Sequence, residues 1–164
     1  MDTVIQGFCD WLAATWLSQL FASLGWFVPT VQTIHILAIA AVVTLLAMLN
    51  FRLLRITRGG PTLRQLAGSY VPWVFRAIVV LLITGILLTI TEPARELMNR
   101  PFRVKMLLVL ALVVLTAMLH RALREDAGYW NVSPRRRAFA NAIAIVSLVL
   151  CVSIVAAGRL IAYT

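Results

Sequence analysis

Four long apolar stretches constrain this chain more than any other feature. They cover about residues 30–51, 70–90, 101–123 and 134–161. Each is longer than the stretch of about 20 residues that a helix needs to cross a bilayer. Hydrophobic residues make up 62% of the chain and charged residues 13%, whereas soluble domains carry roughly 25% charged residues. The stretches also lack the alternating pattern of a membrane β-barrel. The sequence therefore predicts an all-α integral membrane four-helix bundle forming one domain, 1–164.

The N-terminal stretch, about residues 3–25, has a different character. Trp11, Trp16 and Phe21 fall near helical spacing, but Asp10 and other polar residues interrupt the apolar pattern. Such a segment is too polar to span, and its tryptophans suit the headgroup region of a membrane. We therefore expect one interfacial amphipathic helix, ended by Phe27-Val28-Pro29 where the chain turns into the bilayer.

Turn and capping residues divide the remaining chain. Gly59-Gly60-Pro61 cannot continue a helix, so the first span is predicted to end there. Thr62 is a good cap for a short amphipathic helix, TLRQLAGS, and Pro72 is expected in the first turn of the second span. A second short surface helix, EPARELMN, is predicted before the third span.

The basic residues indicate how the helices are oriented. Ten of the fifteen lie beside the turns after the first and third spans, and five lie on the opposite side. Because short cytoplasmic loops carry the excess of Lys and Arg, the richer side should be cytoplasmic. We predict a multi-pass protein of the bacterial inner (plasma) membrane with both termini in the periplasm.

The formal net charge of +9 would suggest nucleic acid in a soluble protein. Here the charges flank apolar spans, where they act as topology signals and contact anionic lipid. The expected partners are therefore the lipid bilayer and other membrane subunits or further copies of the chain, and not nucleic acid.

Ionisable and polar residues within the spans need a reason, because burying them in lipid is costly. His35, about two turns into the first span, is the clearest candidate, and other polar residues could approach it at the outer side. A ligand-binding or cofactor role and a structural hydrogen bond that locks the first span against the fourth are both open. The predicted outer cluster consists of Gln32, His35, Glu92, Arg159 and Tyr163.

A second polar group is expected near the cytoplasmic side. His120 lies close to the end of the third span beside Arg121, and such a pair can simply face lipid headgroups. The predicted cytoplasmic cluster consists of Asn50, Arg76, His120, Arg121 and Asn141.

Two histidines in an apolar bundle suggest a b-type haem, but their depths differ. His35 is about 9 Å past Pro29 and His120 about 28 Å past Pro101 along their helices. One chain is therefore not expected to ligate a haem with both, which leaves His35 as a single metal ligand or as a ligand shared between two copies. A quinone or a lipid headgroup near His35 and Arg159 is a further possibility.

Methionines at positions 48, 98, 106 and 118 suggest a path for Cu(I), although they lack MxxM spacing. Lys105, Thr116 and His120 fall on one stripe of the third span, and Thr84-Gly85 forms a thin spot in the second; packing is the expected role of both features. The sequence contains no GxSxG, HExxH or P-loop motif, so we expect no enzyme activity.

Several segments together resemble a family of small, uncharacterised bacterial four-helix membrane proteins over nearly the whole chain. They are VQTIHILAIA, NFRLLRI, the Pro72-Trp73 pair, TGILL, NRPFRVKMLL, LHR and AAGRLIAY. The chain is also distantly similar to the membrane domain of copper-resistance protein D, in the histidine of the first span and the Arg-x-Lys opening of the third. The resemblance implies that the family's characteristic polar positions are His35, Arg52, Trp73, Lys105, His120 and Arg159.

Three functions follow as hypotheses. The first is a non-catalytic accessory subunit of a larger electron-transfer or energy-converting membrane complex, holding a quinone or lipid headgroup at its outer cluster. The second is a b-type haem electron carrier with His35 as ligand. The third is transport of copper or another small solute.

Overall fold

The computed structural model describes residues 2–56, 62–125 and 134–161. Within these ranges the chain forms seven α-helices and no strand: α1 (Asp2–Ala13), α2 (Trp16–Ser23), α3 (Phe27–Leu53), α4 (Leu63–Thr91), α5 (Pro93–Leu97), α6 (Arg100–Glu125) and α7 (Pro134–Ile161). Four of them, α3, α4, α6 and α7, carry apolar segments long enough to cross a membrane. The protein is therefore an all-α, multi-pass membrane protein, as the apolar stretches predict.

The four long helices form a ring in sequence order. α3 packs mainly against α4 and α6 against α7, while contacts of α3 with α7 and of α4 with α6 close the ring. We call the end where α3 ends and α4 begins the Asn50 end, and the opposite end the His35 end. The core of the Asn50 end consists of Leu49, Leu53, Ala67, Val71, Leu119, Ala140, Ile143 and Ala144.

A second apolar layer fills the middle of the bundle. It also draws on all four long helices and separates the two ends; its buried members are Val42, Leu46, Val74, Leu112, Cys151 and Ile154. No more than 33% of the apolar window of any long helix is buried inside the bundle. Most of the apolar surface therefore faces outward, where lipid is the solvent that it requires.

The N-terminal segment is two helices rather than the single one expected. α1 ends at Ala13, and Thr15 begins α2 by accepting a hydrogen bond at its side chain from the backbone N–H of Ser18 (3.4 Å). α1 packs against α5, where the thiol of Cys9 lies 3.6 Å from the carbonyl oxygen of Pro93. Together α1 and α2 cover the His35 end, with Trp11 and Trp16 exposed.

The first span begins earlier than the sequence suggests. α3 starts at Phe27, so Pro29 lies in its first turn, where a missing N–H leaves no helical hydrogen bond unmade. The break that was expected at Pro29 falls instead just before Phe27. At its other end α3 stops in a left-handed turn: Arg55 has φ of 59°, and the N–H of Ile56 donates to the carbonyl of Phe51 (3.0 Å).

The second span is longer than expected. The segment TLRQLAGS does not form a separate helix, because α4 runs without interruption from Leu63 to Thr91. Thr62 caps it as predicted, in a reciprocal capping box with Gln65. Pro72 consequently lies inside α4 and not in its first turn. The predicted break at Gly59-Gly60-Pro61 lies outside the described residues.

Candidate functional site

The histidine of α3 is bonded to α4 inside the His35 end. Nδ1 of His35 lies 2.7 Å from the hydroxyl oxygen of Thr84, which is itself buried. The ring also packs against Gly85, where a Cβ would lie 3.6 Å from the Cε1 atom of His35, an ordinary van der Waals distance. The imidazole ring therefore packs against α4 at Thr84 and Gly85, two residues with small side chains.

The hydroxyl of Thr84 fixes the direction of this hydrogen bond. Its single hydrogen is donated within α4 to the carbonyl oxygen of Val80, at 2.7 Å. The oxygen must therefore accept the hydrogen bond from His35, which places the proton of the neutral ring on Nδ1. Nε2 is then the ring nitrogen with a lone pair, and it can accept a hydrogen bond or bind a metal ion.

Two charged residues extend the site toward the surface. Lys105, half-buried in the second turn of α6, is close enough for its charge to act on both His35 and Glu96. Glu96 lies in α5, outside the long helices, and is half-buried. Burial raises the pKa of the Glu96 carboxyl, and the positive charges of Lys105 and Arg95 oppose that rise. The ammonium group of Lys105 therefore lies between two partners, with its charge acting on the imidazole ring of His35 and on the carboxyl group of Glu96.

The other residues of the predicted outer cluster are placed differently. Gln32 is exposed on α3, and Arg159 is exposed near the end of α7, where it makes an interaction of its own. Glu92 accepts a hydrogen bond from Arg95 (2.7 Å), and this ion pair is largely exposed. The hydrogen-bond partner of Glu92 is therefore Arg95, and that of His35 is Thr84. Tyr163 lies outside the described residues.

Asn50 is the most deeply buried of the residues predicted at the opposite end. Its side chain is 1% exposed, and within the described chain neither its amide nitrogen nor its amide oxygen has a hydrogen-bond partner. His120 and Asn141 are half-buried, and His120 makes an interaction of its own. These three residues come from α3, α6 and α7 at the same end of the bundle.

The two arginines of that group face away from the core. Arg76 is exposed and lies over the ring of Trp73, with its guanidinium carbon 4.7 Å from the ring centre. Arg121 is exposed at the last turns of α6. Neither is described in contact with the Asn50 amide, so charge and buried polarity are separated at this end.

The two histidines lie at opposite ends of the bundle. His120 directly follows Leu119 of the Asn50-end core, and fifteen residues of α3 separate His35 from Asn50, a rise of about 22 Å. Among the described residues, no three His, Cys, Asp or Glu side chains come together as a metal-binding group. His35 can therefore offer a metal or haem one nitrogen, Nε2, in a site that His120 does not share.

Three residues of the His35 site did not figure in the predicted cluster. Packing is the role that the sequence predicts for Thr84 and for the stripe that contains Lys105, although the family resemblance also implies Lys105 as a characteristic polar position; Glu96 is not singled out. The helix bounds in the structure explain why Thr84 meets His35: His35 lies eighteen residues before α3 ends, and Thr84 lies twenty-one after α4 begins. Antiparallel neighbours joined by a short turn bring such positions to similar depth.

Fold and site together define a multi-pass α-helical membrane protein with a polar site inside one end of its bundle. Residues 8–164 match the family of unknown function DUF6644, and the chain belongs to that family. This confirms the resemblance to an uncharacterised family. No match is found among curated proteins or among solved structures.

Proposed function

We propose that this protein is a non-catalytic membrane subunit of an electron-transfer or energy-converting complex, and that its His35 site binds the head of a quinol. The observation that supports the ligand is the hydrogen bond from His35 to Thr84. It leaves Nε2 as an acceptor, and a quinol hydroxyl is a donor that partitions into the bilayer. The ring oxygens can also accept a hydrogen bond, as the ammonium group of Lys105 requires.

The charge around the site favours a quinol over a lipid phosphate. Lys105 alone would attract an anion, but the nearby carboxyl of Glu96 opposes one. A neutral imidazole that presents a lone pair also repels a phosphate oxygen. An uncharged ligand with both donor and acceptor character meets fewer electrostatic penalties here than an anionic headgroup.

The orientation forms part of the same proposal. The excess of arginine beside the turns of the Asn50 end supports a cytoplasmic location for that end. The His35 site then opens toward the periplasmic side of the inner membrane, together with both termini. Cysteine labelling in intact cells tests this orientation. In a protein whose Cys9 and Cys151 are both replaced, a single cysteine is introduced at Gln19 or at Arg121. Only the cysteine at position 19 should react with a reagent that does not cross the membrane.

Ligand binding is tested with a short-chain ubiquinol analogue titrated into the full-length protein in nanodiscs, followed by tryptophan fluorescence. Replacing His35 by Phe should weaken binding about tenfold, since a lost hydrogen bond is worth about 1 kcal/mol or slightly more. Gln32→Ala changes an exposed polar residue one turn away and should leave the affinity unchanged. Equal affinities for the native chain and His35→Phe would contradict the quinol site.

Membership of a complex is tested by purification of the tagged chain from native membranes in a mild detergent. Other membrane subunits should co-purify in fixed ratio, and both the partners and extractable quinone can be identified by mass spectrometry. A chain that always runs alone or only with further copies of itself would contradict the subunit role and leave the ligand test intact.

A b-type haem is the second candidate, favoured by one observation. Metal-binding histidines usually donate the hydrogen of their other ring nitrogen to a fixed acceptor, as His35 does to Thr84. A haem bound through Nε2 would give a Soret band that is lost in His35→Phe. The same preparation tests the distant similarity to copper-resistance protein D: copper retained by the native chain and lost in His35→Phe would support copper handling or transport.

A further inference from the structure

The side chain of Asn50 presents an unusual combination of burial and missing partners. It is 1% exposed, yet both polar atoms of its amide lack a hydrogen-bond partner within the described chain. A buried polar atom that stays unsatisfied costs about 1–3 kcal/mol. Two such atoms on one residue lower the folding stability of a four-helix bundle substantially. A ligand that forms hydrogen bonds with both atoms would remove this cost.

The position of Asn50 rules out most ligands by size. Leu46, Leu49 and Leu53 share its face of α3, and all three are buried in the core of the bundle. Because the side chain is almost completely enclosed, a quinone, a lipid headgroup or a residue of another protein cannot reach it in this conformation. Only a very small molecule can.

The chemistry of an amide defines that molecule further. The Asn50 amide has two N–H donors and a carbonyl acceptor, so its ligand must both accept and donate hydrogen bonds. Thr116 on α6 lies at this half of the bundle, is 3% exposed, and donates its hydrogen to the carbonyl of Leu112 (2.8 Å), which leaves its oxygen as an acceptor. An uncharged ligand with both capacities is required.

We propose that Asn50 binds an internal water molecule at the Asn50 end of the bundle. Buried waters typically make about three hydrogen bonds to groups that the protein does not satisfy itself, and an enclosed amide is a suitable anchor. The middle layer of Val42, Leu46 and their neighbours is apolar. Hydration therefore reaches Asn50 from its own end of the bundle and stops there, and the His35 site is not connected to it by water.

Solid-state NMR of the full-length protein in lipid bilayers tests this directly. With the protein labelled with nitrogen-15 at asparagine and valine, magnetisation from water should reach the Nδ2 hydrogens of Asn50 at short mixing times. The matched control is the backbone amide of Val42, eight residues away on α3 in the apolar layer, which should receive magnetisation much more slowly. Asn50→Gln identifies the signal by its disappearance.

A second variant keeps the proposal testable if the signal is weak. Asn50→Leu replaces the amide by an apolar side chain of similar size; with a water bound, the native amide is already satisfied, so the variant should gain little or no stability. Gln32→Leu, at an exposed position of the same helix, controls for the added hydrophobicity. Equal transfer rates at Asn50 and Val42, or an Asn50→Leu protein that is more stable than the native chain, would overturn the proposal.

Discussion

At the His35 end of the bundle, polar side chains are bonded to each other across helices, whereas at the Asn50 end the most deeply buried one has no partner among the residues that the structure describes. His35 and Thr84 are hydrogen-bonded at 2.7 Å, and the ring packs against Gly85. Asn50 is 1% exposed at the end of the bundle whose core is built mainly of leucines and alanines. The burial of a polar side chain therefore does not by itself identify a functional site, because the same four helices enclose polar groups in two different ways.

The difference follows from the residues that line each end. Alanines on α4 and α7 let the helices approach closely at the Asn50 end, and Ala144 is completely buried. At the His35 end the imidazole is bonded to a hydroxyl and lies within reach of the charge of an ammonium group, which also acts on the carboxyl group of Glu96. The first end is built for close packing, and the second for polar contacts.

The largest predicted effect concerns that close packing. Ala144→Leu inserts three further carbon atoms where no surface is exposed, and overpacking of this kind costs about 1–3 kcal/mol. Ala142→Leu, on an exposed position of the same helix, is the control and should change little. Thermal unfolding in one detergent measures both; equal melting temperatures would show that the Asn50 end is loosely packed.

The next effect concerns the bond between α3 and α4. Thr84→Val keeps the shape of the side chain but removes the acceptor of His35, and should cost about 0.6 kcal/mol, the average for side-chain hydrogen bonds between membrane helices. Thr89→Val is the matched control, because the hydroxyl of Thr89 donates its hydrogen within its own helix, to the carbonyl oxygen of Gly85. If both variants melt together, the contact of His35 with Thr84 does not stabilise the bundle.

The smallest effect is expected at the surface of the His35 end. Glu92→Gln breaks the ion pair with Arg95, whose pKa is raised by the hydrogen bond that its guanidinium donates to that carboxylate. Because both side chains are largely exposed, the change should stay within about 0.5 kcal/mol and diminish further at high salt. A larger loss that persists in high salt would assign Glu92 to the functional site after all.

The fold could be predicted from the sequence, and the site only in part. Apolar length and turn residues were sufficient to predict four spans, and Thr62 could be predicted as a cap from its residue type after Gly59-Gly60-Pro61. The join of TLRQLAGS to the second span was missed, because Pro72 resembles a helix start. His35 was identified from its cost in lipid, but its partner depends on the register between α3 and α4, which no local pattern of residues encodes.

The state of the His35 ring tests the account most directly. With nitrogen-15 histidine in the full-length chain, NMR in bilayers near neutral pH distinguishes a protonated ring nitrogen from one that carries a lone pair. The account predicts a hydrogen on Nδ1 and a lone pair on Nε2, with the pattern lost in Thr84→Val and kept in Thr89→Val. A hydrogen on Nε2 and a lone pair on Nδ1 in the native protein would contradict it.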